Sequence, residues 1–344
     1  MPRIRESMSL SNQGKGNRPF LLSPAGKDYL WGGSRLKDDF DKRFDLDPLA
    51  ETWECSTHPN GPSIVASGEF KGKLLSEVLK EHPEFVGSHP NVVNGQIPVL
   101  IKFIDAKKDL SVQVHPSDEY AYIHENGSLG KTEMWYVIDA LPNSSLVYGF
   151  HHSVTKEKVR KAIETGELEK YMNRVPVKKG DMFFIPSGTV HAIGKGCLIA
   201  EIQESSDLTY RLYDYNRVDK DGKLRPLHID KALDVANLNP IESPKQPMKV
   251  YKYRPGRATQ LLARCKYFQT EKMIVNTERI KDLAEFKTDS STFQVLLCYS
   301  GCGTILDVDY GTSSNFFKGD CIFVPANSSL LKIHGKAEFL RIKC

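Results

Sequence analysis

The chain has 344 residues, of which 40% are hydrophobic and 26% charged, and a formal net charge of +4. That is enough chain for two domains and enough apolar surface for cores that need no covalent staples. No run approaches the ~20 apolar residues that span a bilayer, and no dense basic tract marks a nucleic-acid surface.

The opening residues Met1–Pro2–Arg3–Ile4–Arg5–Glu6 carry charge with no apolar stretch behind them, so residues 1–18 read as a flexible tail rather than a secretion signal. From 19 to 70 the pattern is short strands and turns, with a tight turn at Trp31–Gly32–Gly33. Glu51 to Ser56 alternates like a strand and stops at His58–Pro59–Asn60–Gly61–Pro62, which makes His58 a loop residue. Leu74, Leu75, Val78, Leu79 and Phe85 are spaced for an amphipathic helix. Pro98 to Asp105 is an almost continuous apolar strand carrying one lysine, Lys102.

Leu110–Ser111–Val112–Gln113–Val114–His115 follows. Alternate side chains of a strand share a face. Val112 and Val114 therefore suit a buried packing face, and Ser111, Gln113 and His115 point together the other way. A loop through Gly130 leads into a strand on which Lys131, Glu133, Trp135 and Val137 share one side. Residues 154–172 have a helical pattern and form an insertion between strands. Lys179–Gly180–Asp181 turns into the buried strand Met182 to Pro186, and further strands are expected at 199–205 and 208–215. Pro240, Pro244 and Pro247 mark a linker over 238–248. Beyond 249 the chain is strand-like again. The seven cysteines are irregularly spaced, with no C-x-x-C pair. That predicts reduced thiols in a cytoplasmic protein, with Cys298 and Cys302 as strand and turn residues rather than zinc ligands.

One stretch repeats. Lys179–Gly180–Asp181 to Pro186 is echoed by Lys318–Gly319–Asp320 to Pro325, with turn and proline at the same spacing. Two similar β-barrels would produce this. In the first copy the run continues Pro186–x–Gly188–x2–His191. Together with Gln113, His115 and Glu133, His191 completes two imidazoles, a carboxylate and an amide oxygen. Such a set suits Zn²⁺ or another first-row divalent ion and leaves room for a water or substrate oxygen.

The Gly-x5-Pro-x-Gly-x2-His run resembles the second motif of the cupins. Leu-Ser-Val-Gln-Val-His-Pro, followed by Lys131–x–Glu133, resembles the type I mannose-6-phosphate isomerases, and Glu204 to Asp214 is similar to that family's strand with its active-site arginine. The resemblance spans about 19–344, is most specific over 98–216, and is to the shorter members. It implies a mainly β fold of two cupin-type (jelly-roll) barrels: a catalytic domain over 19–240 with the small helical insertion near 154–172, and a C-terminal cupin-like domain over 249–344. It implies one zinc ion on Gln113, His115, Glu133 and His191, with Arg211 in the active site. Phosphate contacts would fall on Ser111 and Lys131, with Lys102 as a further candidate. Leu330 stands at the place of His191 and Asn327 at that of Gly188, so no metal is expected in the second repeat. Gly130 stands where some longer members place a histidine.

The implied reaction interconverts mannose 6-phosphate and fructose 6-phosphate by moving a proton between C1 and C2 through a cis-enediol. A metal ion offsets developing oxygen charge, and Arg211, always protonated, can share it. The shuttled proton needs a base near the working pH. Asp207 and Lys131 are both candidates. Asp207 keeps the parity of Arg211 if the strand is regular, and Lys131 is alternatively a phosphate ligand. The expected partner is a small phosphosugar, with no nucleic acid and no membrane, and monomer and homodimer both stay open. Two other classes fit less well. A cupin oxygenase would not need Gln113 or the Lys131/Arg211 pair, and a non-catalytic bicupin sugar-binding protein would be expected to lose metal ligands in both repeats.

Overall fold

The computed structural model describes residues 16–344 apart from 89–91, 93, 219–220, 242–244 and 246–248. Most of the expected tail and much of the Pro-rich linker lie outside the described residues. The protein is mainly β. Hydrogen bonding joins its strands into sheets of ten, six and five. The ladders are open, so the barrel expectation takes the form of facing sheets rather than closed rings.

The five-stranded sheet runs in the order Tyr210–Tyr213, Val112–Val114, His191–Ile193, Ser145–Phe150, Met172–Pro176. The parity expected of the Val112 strand is present. Val112 and Val114 pack outward with Val190, Ala192 and Leu212, under the helices Lys156–Glu164 and Ile229–Val235. Gln113 pairs with Arg211 on one side and His191 on the other, and His191 pairs with Tyr148. Opposite residues of an antiparallel ladder share a face. That face therefore presents Arg211, Gln113, His191 and Tyr148 in one row.

The six-stranded sheet runs Met182–Ile185, Glu133–Ala140, Cys197–Glu204, Val99–Asp105, Glu51–Cys55, Ala25–Lys27. Its inner face meets the five-stranded sheet through Trp135, Val137, Phe183, Ile185 and Ile199, packed with Leu146, Tyr148 and Ile193. Its outer face, with Phe103, Met134, Tyr136 and Ala200, packs against Phe20, Val295, Leu297, Phe323 and Leu340 of the ten-stranded sheet. Most central residues of the strands at 99–105, 133–140 and 197–204 are thus buried on both sides, which is why these segments read as near-continuous apolar runs.

The ten-stranded sheet takes in strands from 252 to 343, and also Phe20–Ser23 and Ile64–Val65. Phe20 pairs with Phe323 and Leu22 with both Cys321 and Val65. The sequence repeat is a structural repeat. Gly180 and Gly319 both have positive φ, 89° and 96°. The Oδ2 of Asp181 accepts from Lys178 N at 3.0 Å and that of Asp320 from Phe317 N at 2.8 Å. Asn327 takes the left-handed conformation of Gly188, φ 50° against 84°, a strain that Asn tolerates better than most residues. Ile185 stands opposite Glu133 and Val324 opposite Gln294. The second copy therefore has an amide in place of the carboxylate.

Three of the described α-helices, Arg35–Asp38, Asp118–His124 and Ile229–Val235, were not apparent in the sequence. Asp118–His124 begins at Ser117, whose side chain accepts from Tyr120 N at 3.3 Å. Ile229–Val235 covers the five-stranded sheet.

Candidate metal centre

His115 and His191 are held by the five-stranded sheet and its edge, Glu133 by the six-stranded sheet facing it. All three are buried, and their ligand atoms lie within 4.8 Å of one another. His191 Nε2 is 3.2 Å from Glu133 Oε1 and His115 Nε2 is 3.6 Å from Glu133 Oε2. The other ring nitrogens are tied to the backbone. His115 Nδ1–H donates to Leu208 O at 2.9 Å and His191 Nδ1–H to Thr189 O at 2.8 Å. These bonds fix the tautomer and leave both Nε2 lone pairs facing the carboxylate.

Burial, then the charges of Lys131 and His191, holds His115 well below the ordinary histidine range, and burial brings His191 to about 4. Both rings are neutral at pH 7 and turn unprotonated nitrogens to Glu133. His115 Nε2 and Glu133 Oε1 make no hydrogen bond, and Glu133 Oε2 has only its ion pair with Lys131. Buried polar atoms are rarely left so. A divalent cation satisfies all of them, and two imidazoles with a carboxylate are its usual donors. Gln113 completes the ring, its Nε2 3.4 Å from His191 Nε2 and its Oε1 accepting from Ser111 Oγ at 3.4 Å. Turning the amide by 180° exchanges the two atoms and aims Oε1 at the imidazole edge.

Lys131 Nζ is 3.1 Å from Glu133 Oε2, and its side chain is buried. Burial raises Glu133 to about 7, opposed by Lys131 and assisted by the nearby charge of Glu201. Arg211 donates from Nε to Ser111 Oγ at 3.3 Å and from Nη1 to Pro226 O at 2.9 Å. Lys102 is buried on the same face as Glu133. It is 3.0 Å from Glu201 Oε1 and 3.7 Å from Glu51 Oε2, with its Nζ 5.0 Å from the Trp53 ring centroid. Burial alone would depress this lysine, but the two carboxylates hold it above its ordinary value.

The structure brings Ser111, Gln113, His115, Lys131, Glu133, His191 and Arg211 together. Asp207 has other partners. Residues 206–209 leave the strand, so its expected parity with Arg211 fails. Its side chain is 44% exposed and bonds Asn60 Nδ2 at 2.5 Å, with His58 Nε2 at 3.6 Å. The local cause is Gln203, whose amide donates to both Glu204 O and Ser206 O and draws the chain into a turn.

Sequence reasoning missed Glu51, Trp53, Glu201 and Trp135. Trp53 Nε1 donates to Glu51 Oε2 at 2.8 Å and Trp135 Nε1 to Glu201 Oε2 at 2.9 Å. Two carboxylates, each capped by an indole, thus flank the buried Lys102. An available signal was Glu201, a charged residue inside the apolar run Leu198 to Ile202.

A family model, phosphomannose isomerase type I, catalytic domain, matches residues 20–136. Mannose-6-phosphate isomerase ManA of Bacillus subtilis is 40% identical over 320 residues, covering 93% of this chain and 97% of that protein. The mannose-6-phosphate isomerase of Streptococcus mutans is 41% identical over 254 residues, 74% of this chain and 78% of that one. The crystal structure of the Bacillus subtilis mannose 6-phosphate isomerase superposes with a TM-score of 0.86 at 35% identity, covering 95% of this chain and all of the other.

Proposed function

Because this chain belongs to the type I mannose-6-phosphate isomerases, we propose that it interconverts mannose 6-phosphate and fructose 6-phosphate as a zinc-dependent aldose–ketose isomerase, through a cis-enediol. The observation that carries the reading is the buried His115–Glu133–His191 set, with its ligand atoms turned inward toward one another. Gln113, His115, Glu133 and His191 would hold one ion per chain. When bound, the ion supplies Lewis-acid offset of the negative charge that builds on the substrate oxygens during enolisation.

The chain's own residues divide the remaining work. Ser111 and Arg211 offer a hydroxyl and a guanidinium beside Gln113, a pair suited to an anionic oxygen of the phosphosugar. Arg211 is pinned at two atoms, so its charge is preorganised. Lys131 is the favoured group for proton transfer between C1 and C2, since its Nζ stands beside Glu133. Asp207 sits in an exposed loop with Asn60 and His58. Lys102 is engaged by Glu201 and Glu51 and acts on the site electrostatically, not as a phosphate ligand. We assign the chemistry to the unit over 19–240 and a supporting role to 249–344, in a cytoplasmic protein whose cysteines are free.

The test is a coupled isomerase assay with mannose 6-phosphate on zinc-loaded protein, with Glu133→Gln, Lys131→Met and Asp207→Asn in parallel. Expected are turnover by wild type, its loss on chelation and in Glu133→Gln, and loss of kcat in Lys131→Met beyond that in Asp207→Asn. A folded, zinc-loaded wild type without turnover would overturn the substrate assignment. Asp207→Asn failing more severely than Lys131→Met would transfer the proton-transfer role to Asp207.

A further inference from the structure

Lys131 lies just before the first residue of its strand, where no ladder bond holds it. Each of the three amides around it is nevertheless bonded. Gly130 N donates to Asp118 Oδ1 at 3.0 Å, Lys131 N to Pro116 O at 3.0 Å, and Thr132 N to Glu204 Oε1 at 2.5 Å. The fit leaves no slack. A Cβ on Gly130 would lie 2.4 Å from Asp118 N and Ser117 C.

Asp118 is the hub, and part of what holds it comes from the far unit. Tyr267 O–H donates to Asp118 Oδ2 at 2.7 Å, and Lys266 Nζ lies 3.1 Å from the same oxygen. Tyr267 and Lys266 stand in the turn between the strands Arg257–Arg264 and Gln269–Asn276, both in the ten-stranded sheet. Glu204, which accepts from Thr132 N, lies within the electrostatic reach of Asp118. One carboxylate thus joins the Lys131 backbone and the C-terminal unit.

We propose that Tyr267 is a positioning residue for the isomerisation: through Asp118 it fixes the Gly130–Thr132 backbone that carries Lys131 to the reacting end of the substrate. The C-terminal unit thereby takes part in catalysis without placing a side chain in the site. The proposal rests on the assignment of Lys131 to proton transfer. A displacement of about 1 Å in such a group can cost on the order of 100-fold in rate. Loss of one of several anchors displaces it less, so a smaller effect is expected.

The experiment uses the full zinc-loaded chain and mannose 6-phosphate. Tyr267→Phe removes only the hydroxyl. Expected is a fall in kcat of roughly 3- to 10-fold, with KM within twofold, an unchanged zinc content and an unchanged pH at which kcat is maximal. Asp118→Asn keeps one acceptor oxygen for the three donors Gly130 N, Tyr267 O–H and Lys266 Nζ and should lower kcat at least as much. The deciding measurement is the pair Lys131→Met and Lys131→Met/Tyr267→Phe. If Tyr267 acts through Lys131, the double variant has the residual kcat of Lys131→Met. A further loss in the double variant, or an unchanged kcat in both Tyr267→Phe and Asp118→Asn, overturns the proposal while leaving the role of Lys131 intact. An unchanged kcat in Lys131→Met overturns the assignment of Lys131, and the positioning role with it.

Discussion

Replacing Lys102 by Met tests whether the buried charge cluster beside the metal centre holds the fold together. Lys102 Nζ is 3.0 Å from Glu201 Oε1 and 3.7 Å from Glu51 Oε2, and all three side chains are less than a tenth exposed. At an effective dielectric constant of ~20, each contact is worth on the order of 5 kcal/mol before desolvation. Burial of the ions offsets much of that, and what remains on breaking such a cluster is about 3–5 kcal/mol. Burial would raise Glu201, and Lys102 first and then Lys131 bring it down to about 2. Without Lys102, Glu201 and Glu51 are buried carboxylates short of a counter-charge. Lys102→Met is therefore expected to destabilise by about 3–5 kcal/mol. Adding Glu201→Gln should recover part of the loss, because the amide keeps the shape and can still bond Trp135 Nε1. The assay is urea unfolding of chelator-treated protein for wild type, both single variants and the double, so that metal binding does not mask the difference. A cost below about 1 kcal/mol for Lys102→Met, or a double variant as unstable as the sum of the singles, would refute the reasoning.

Zinc added at about 100 times its dissociation constant should stabilise the wild type by roughly 2.7 kcal/mol, read as a rise in thermal midpoint that chelation reverses. His191→Ala and Glu133→Gln should lose most of that rise, and its retention in either would remove that side chain from the ligand set. Burial and the charge of Asp118 raise Glu204 to about 8, so the folded chain keeps a proton that the unfolded chain releases above about 4.5. Stability contributed by Glu204 therefore declines as pH rises from about 5 to 8, at up to about 1.4 kcal/mol per unit. Glu204→Gln cannot release that proton and should gain on wild type across the same range. Parallel pH–stability curves for the two proteins would contradict this.

What the sequence revealed and what it hid follow from the range of the interactions. The orientation of Val112, Gln113 and Val114 is a matter of strand parity and was legible at once. So was the repeat, because Asp181 and Asp320 each close a turn onto an amide three residues back. Glu133 was legible through its place between the Gln113–x–His115 strand and His191, whereas Arg211 came from resemblance, since nothing local distinguishes an active-site arginine from any other strand arginine. Glu201 stayed hidden because its partners Lys102 and Trp135 belong to neighbouring strands. The regular strand on which the parity of Asp207 with Arg211 depended is interrupted at one amide, that of Gln203, which bonds backbone. The helix at Asp118–His124 had a short cap signal at Ser117, too brief for hydrophobic periodicity to support. Tyr267, almost a whole domain away in sequence, offered no signal at all.

The strand Phe20–Ser23 pairs with Cys321–Val324, so two of the most apolar segments must meet across roughly 300 intervening residues, a loop whose closure is entropically costly. On the ribosome the first of them emerges roughly 300 residues ahead of its partner. Until then Phe20, Leu21 and Leu22 form a sticky, unpaired edge of the kind that invites intermolecular pairing. The ten-stranded sheet therefore makes completion of the fold a late event. It sets the nascent chain's period of vulnerability by the time needed to synthesise the roughly 300 residues between the two strands.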